Sequence, residues 1–140
     1  MLTLMMGIIL ILFRMYGLDT HHETRSSIWW PERLRNLIPA TATNITLQRD
    51  ILDHYAIYTI SEKDLNTYLN GRFSSDGEKL DSFSEREIVG SETIGDEIGP
   101  LGWVITKDMV IYEYYASNGG NHTYYYSPAS GRAYQSSAYW

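Results

Sequence analysis

The last 29 residues of the chain, YEYYASNGGNHTYYYSPASGRAYQSSAYW from Tyr112 to Trp140, hold eight tyrosines. Tyrosine favours the pleated, half-buried surface of a strand. Two turn signals interrupt the run: Asn118-Gly119-Gly120 and Pro128-Ala129-Ser130-Gly131. The pattern predicts a long strand over 104–117, a return strand over 122–127 and a last strand from Arg132. A two-residue turn at 118–119 pairs Tyr112 with Tyr125, and sliding it to 119–120 pairs Tyr114 with Tyr125. Both registers put Tyr112, Tyr114 and Tyr125 on one face, and Glu113, Tyr115, Tyr124 and Tyr126 on the other. A three-residue loop would change the assignment. Tyrosines on both faces suit a covered sheet, with rings inside and hydroxyls reaching the rim. A sugar-binding platform needs its aromatics on one exposed face. Glu113 among tyrosines calls for hydroxyl donors or a base such as Arg132. Glu113, Tyr115, Tyr124, Tyr126 and Arg132 are therefore the candidate ligand or partner site.

Upstream, ATNITLQ and HYAIYTI read as two strands. In the second, Tyr55, Ile57 and Thr59 alternate with Ala56, Tyr58 and Ile60, as in a strand covered on both faces. Ser61 and Asp64 form a capping box, with Ile60 and Leu65 as its hydrophobic staple. They open a helix of about nine residues, with Leu65, Tyr68 and Leu69 as the buried side and Asn70-Gly71 as the stop. A further short helix starts at Pro31 and ends at Pro39. It either packs on the domain or lies at a membrane surface, with Trp29 and Trp30 at headgroup level and Arg33 and Arg35 toward anionic lipid. The expected fold class is α+β: an antiparallel sheet of about five strands with one or two short packed helices, behind an N-terminal hydrophobic helix.

Residues 1–18 carry that hydrophobic segment. Residues 1–13, MLTLMMGIILILF, are uncharged, and the apolar character continues past Arg14 to Leu18. As a helix, 18 residues span roughly 27 Å, close to a bilayer core of roughly 30 Å. A membrane anchor is the reading adopted. A cleaved signal peptide and a buried core helix are the alternatives, although no small-residue cleavage site follows. Residues 19–27, DTHHETRSS, read as a polar tether, and 28–140 as one domain. The basic flank on the C-terminal side favours a cytoplasmic domain by charge. The usual arrangement of a short anchor before one small domain favours an extracytoplasmic one, which is the placement expected.

The net charge of −6 is concentrated. Eight acids and two bases fall between Phe73 and Ile98, in a Gly- and Ser-rich stretch over 73–102 read as an acidic loop. With no basic stripe, a nucleic-acid partner is not expected. The absence of cysteine excludes disulfides, thiolate metal sites and a cysteine nucleophile. No phosphate loop, dinucleotide fingerprint, zinc-protease helix or nucleophile elbow is present. His21-His22-Glu23 are adjacent residues, which rarely ligate one ion together. Asp50, Asp53 and His54 offer a carboxylate–imidazole pair without a nucleophile nearby in sequence. Neither a catalytic residue, a metal nor a cofactor is therefore expected.

The segments LIPATATNITLQRD and YAIYTISEKDLNTYL resemble small bacterial membrane-anchored or secreted proteins of unknown function. In these a Pro-x-x-Ala-Thr-Asn-Ile stretch opens the domain and a strand-to-helix Ser-x-x-Asp step follows. The resemblance covers about 30 residues and implies extracytoplasmic placement in a bacterium. The functional expectation is a non-enzymatic, membrane-tethered interaction or accessory protein with a protein partner, such as a small subunit of a membrane complex. Two alternatives stand beside it: a carbohydrate or cell-wall binding module using the C-terminal tyrosines, and an immunity-type inhibitor using the acidic loop.

Overall fold

The structure, a computed structural model, describes residues 19–29, 35–49, 53–75, 87–88, 101–103, 109–115 and 119–138. Among these, seven strands make one antiparallel sheet. They are β1 (Thr20–Thr24), β2 (Thr43–Arg49), β3 (Asp53–Thr59), β4 (Glu87–Ile88), β5 (Val110–Tyr115), β6 (Asn121–Ser127) and β7 (Arg132–Ala138). The spatial order is β1-β2-β3-β7-β6-β5-β4. Two meanders therefore meet at a β3–β7 seam. The connection from β3 to β4 carries helix α1 (Glu62–Ser75). The α+β class holds, with six full strands and a two-residue β4 instead of about five. Among the described residues no helix is long and apolar enough to cross a membrane, and residues 1–18 lie outside them.

The register sorts the side chains onto two faces. Leu47, Ala56, Gln135, Tyr124 and Tyr112 form one row across the sheet, beneath α1. Thr46, Ile57, Tyr134, Tyr125 and Ile111 form the adjacent row on the opposite face. The main core lies on the helix side. It includes Ile28, Ile38, Ile45, Leu47 and Tyr58, with Leu65, Leu69 and Phe73 from α1. A second cluster covers part of the other face, where Trp103 and Met109 lie on Ile57 and Tyr134. β3 is thus covered on both sides, as its alternation predicts.

Helix α1 begins as expected. The Asp64 N–H donates to Ser61 Oγ at 3.1 Å, and the Ser61 hydroxyl donates to Asp64 Oδ2 at 2.7 Å. Its end differs, because the helix runs through Asn70-Gly71 to Ser75. Phe73 explains the extension: its ring stacks on Tyr114 at 3.7 Å with 4° between planes. Contact with the sheet outweighs the local stop signal.

The segment expected as a tether is instead strand β1 and a 3-10 turn over Arg25–Ser27. β1 sits at the sheet margin, where its side chains bury little, so no apolar period marks it in the sequence. The β6–β7 turn is where PASG predicts it, with Gly131 at φ +64° and its N–H donating to Ser127 O at 2.9 Å. The Gly131 carbonyl in turn accepts from the Ile60 N–H at 3.0 Å, tying the turn to the start of α1.

Candidate functional site

The tyrosine site expected from sequence is taken apart by the β5–β6 register. Tyr112 pairs with Tyr124 and Tyr115 with Asn121, so five residues, 116–120, connect the strands. An odd connection reverses the faces assigned by a two-residue turn. Tyr112, Tyr114, Tyr124 and Tyr126 all face the helix and are buried. Glu113 pairs with Thr123 on the opposite face. Arg132 is also on that opposite face, opening β7, with its Cζ 5.8 Å from the centroid of the Tyr134 ring. Glu113, Tyr124, Tyr126 and Arg132 therefore do not converge. Tyr124, fully buried, has Tyr68, Phe73 and Tyr114 edge-on around it at centroid distances of 6.1–6.5 Å. These rings are core and offer no exposed platform.

Beneath the helix lies a polar cluster that sequence reading missed. Arg49, His54, Ser137, His122 and Tyr114 form one cross-strand row. Gln135 lies in the row beside it, and its amide connects them. Gln135 Nε2 donates to the Leu37 carbonyl at 3.1 Å, and its Oε1 accepts from the Tyr58 hydroxyl at 3.1 Å. The Leu37 carbonyl can only accept, which fixes the orientation of the amide. Nε2 also stands 3.1 Å from His54 Nε2 and 3.2 Å from Ser137 Oγ, and Ser137 Oγ is 2.8 Å from His122 Nδ1. His122 and Ser137 have the separation of a base and a nucleophile. Both are sealed in the core, however, with His122 1% exposed and Ser137 fully buried. The network knits β3, β6 and β7 to the Leu37 turn, which Tyr68 also holds through a 2.7 Å bond to the same carbonyl. Asp53 and His54, considered as a pair from sequence, point to opposite faces of β3. Asp50 lies outside the described residues.

Accessible polar groups collect on the face away from the helix, at the β1–β2 end. His21, Glu23, Asn44, Thr46 and Arg132 line a half-open groove of about 400 Å³. Its floor is shaped by a bulge in β2. Thr43 pairs with Thr59 and Thr46 with Ile57, so β2 carries one extra residue between them. Asn44 takes the left-handed conformation there, at φ +49°, which asparagine tolerates better than most residues. His21 Nδ1 lies 3.0 Å from Thr46 Oγ1, holding the ring over the groove. The groove mixes a guanidinium, a carboxylate, an imidazole, an amide and a hydroxyl, a set suited to a polar peptide or amphoteric ligand. His21 and Glu23 share this face while His22 points to the other, and the described residues contain no group fit to hold a metal.

Around the edge of β1 the surface changes character. Ile28 is fully buried, and Trp29 beside it is 89% exposed, the one exposed large hydrophobic side chain among the described residues. Thr24, Arg25, Ser26, Arg35 and Ala40 line a notch of about 350 Å³ nearby in the chain. Arg25 Nη2 donates to Asn36 Oδ1 at 3.2 Å. Of the residues singled out from sequence, Arg35 lines this notch and Trp29 is exposed next to Ile28. Trp30 and Arg33 lie outside the described residues, as does most of the acidic loop.

No known protein family, characterised protein or solved structure matches the chain.

Proposed function

We propose that this chain is a non-enzymatic interaction protein, tethered to a membrane by residues 1–18, that serves as an accessory subunit for a protein partner at that membrane. The observation that carries the reading is Trp29, 89% exposed directly after the buried Ile28 and four residues after Arg25. Tryptophan and arginine are the side chains that most often dominate interface energies. Burial of the His122–Ser137 pair supports a non-enzymatic role, because a substrate would have to displace the helix to reach it.

The test is recovery of the tagged full-length chain from membranes solubilised in mild detergent. The expected result is one co-purifying protein, whose recovery falls at least tenfold with Trp29→Ala while the melting temperature stays within about 2 °C. Recovery of the chain alone, or from the soluble fraction, overturns the reading. Removal of residues 1–18 is expected to leave a folded, soluble domain. If the shortened chain still sediments with membranes after a high-salt wash, residues 1–18 are not the anchor.

A further inference from the structure

We propose that β1 is the contact strand of a symmetric dimer, in which two copies of this chain pair β1 against β1, antiparallel about His22, and their sheets become one. β1 ends the strand order and pairs with β2 on one side alone. Among the described residues, no strand lies beyond it. An open edge presents a row of backbone donors and acceptors that a second strand can use.

The sequence of β1, Thr20-His21-His22-Glu23-Thr24, is complementary to itself when reversed. Turned about His22, Thr20 of each copy meets Thr24 of the other, and His21 meets Glu23. Each pair occurs twice. Threonine pairs are favourable directly across strands, an imidazole N–H can donate to a carboxylate opposite it, and like charges facing each other are unfavourable. The register is specified in the same way. A slide of two residues in one direction sets Glu23 against Glu23. The opposite slide sets His21 against His21 and Glu23 against Asp19, two carboxylates. The centred register alone satisfies both ends, with roughly four to six new backbone hydrogen bonds.

Side-chain placement agrees. His21, Glu23 and Thr24 are exposed. His21 is already held through Nδ1 by Thr46, so Nε2 is the nitrogen available to the other copy's carboxylate. His22 lies on the helix side at the two-fold axis, where two charged rings would repel. Burial lowers its pKa, and Arg49 and His21 add to this against a backbone bond at Ser27 that raises it, so the rings meet uncharged near neutral pH. Antiparallel pairing keeps the same face up in both copies. Each groove then gains His21 of the other copy beside its own Glu23, and the two grooves join across the axis. A two-fold contact of β1 with β1 uses the same surface on both copies, so the assembly closes at two. None of this depends on the membrane or partner reading above.

The chain has no cysteine, so single substitutions report the register directly. Across the axis, the two residues at position 22 would have Cα atoms about 4.5–5.5 Å apart, within disulfide range. The two residues at position 20 would be roughly 14 Å apart, beyond it. In full-length chain purified in mild detergent and exposed to mild oxidation, His22→Cys is expected to give a disulfide-linked dimer at least tenfold faster than Thr20→Cys. The double variant T20C/T24C is expected to cross-link as His22→Cys does. By sedimentation in detergent, Glu23→Lys is expected to weaken dimerisation at least tenfold, and the swap H21E/E23H to restore it. Equal cross-linking at positions 20 and 22 overturns the proposal. So does an unsubstituted chain that stays monomeric at high concentration, or a Glu23→Lys variant that dimerises as the parent does, and these two results stand even if a cysteine variant fails to fold.

Discussion

Gln135 is the residue on which most of the interior polarity depends. Truncating Gln135→Ala removes the acceptor of the Tyr58 hydroxyl and one donor to Leu37, and opens a cavity beside them. The expected cost is about 3 kcal/mol, read as a shift in the denaturant midpoint at constant slope. Tyr124→Ala, at the centre of the ring cluster, is expected to cost about 3–5 kcal/mol. Trp29→Ala is expected to stay within roughly 0.5 kcal/mol, because the ring is 89% exposed. A Tyr124 variant that unfolds with the parent would return the tyrosines to the surface. At this scale the sequence was partly legible. That tyrosine packs inside a sheet follows from strand preference and the abundance of rings. The buried polar row was not legible, because Gln135 and Ser137 have Tyr134 and Ser136 as neighbours and no periodicity separates inner from outer polar residues. Their partners His54, Tyr58 and His122 come from strands, 15 to 81 residues away.

Among the elements, α1 gives the sharpest contrast between local and tertiary preference. A helix that ended at Asn70-Gly71 would need glycine there in the left-handed conformation. The helix instead passes through Gly71, where an added Cβ meets nothing within 4 Å. Gly71→Ala is therefore expected to stabilise the chain by about 0.5–1 kcal/mol, whereas a helix stop would make the same change destabilising. Ser61→Ala, which removes the cap, is expected to cost about 1 kcal/mol. The strand β1 was missed for a reason that belongs to edges: a marginal strand has little to bury and carries no apolar alternation. The β5–β6 register was missed because a run of asparagine and glycine marks a turn without fixing its length, and one residue of difference moves every side chain to the other face.

The same elements set the response to alkali. Burial pushes the Tyr68 hydroxyl up to about 12, though Arg72 pulls the other way. Burial does the same for Tyr114, also to about 12, and raises Tyr58 well above its ordinary range. Below pH 10 these phenols are protonated whether the chain is folded or not, so they add no pH dependence. Above pH 10 the unfolded chain releases protons that the folded chain keeps, and stability falls as pH rises toward 12. In an ultraviolet titration, tyrosinate from the buried rings is expected only as the circular dichroism of the sheet is lost. Complete ionisation with an intact sheet would contradict the burial of these rings.

For the whole molecule, the seam matters most. β3 and β7 pair along their full length, from Asp53 with Ala138 to Thr59 with Arg132. Deleting residues 132–140 therefore removes the middle of the sheet, not its margin. The shortened chain is expected to show neither the cooperative transition nor the near-ultraviolet signal of packed tyrosines, measured by calorimetry and circular dichroism. The two meanders were readable one by one from turn signals and alternation. Their junction was not, since nothing in either strand's own pattern names a partner 77 residues away.

That junction also sets a clock. At a synthesis rate of roughly 5–20 residues per second, the stretch between the two sides of the seam takes about 4–15 s to make. Throughout that interval β3 exists without the strand that covers its open side, and its alternating tyrosines and isoleucines have nothing permanent to rest on. The finished sheet can assemble only after β7 has left the ribosome. A nascent chain in this condition cannot close its sheet until β7 emerges, and its unpaired strand edge stays open to other chains for that time.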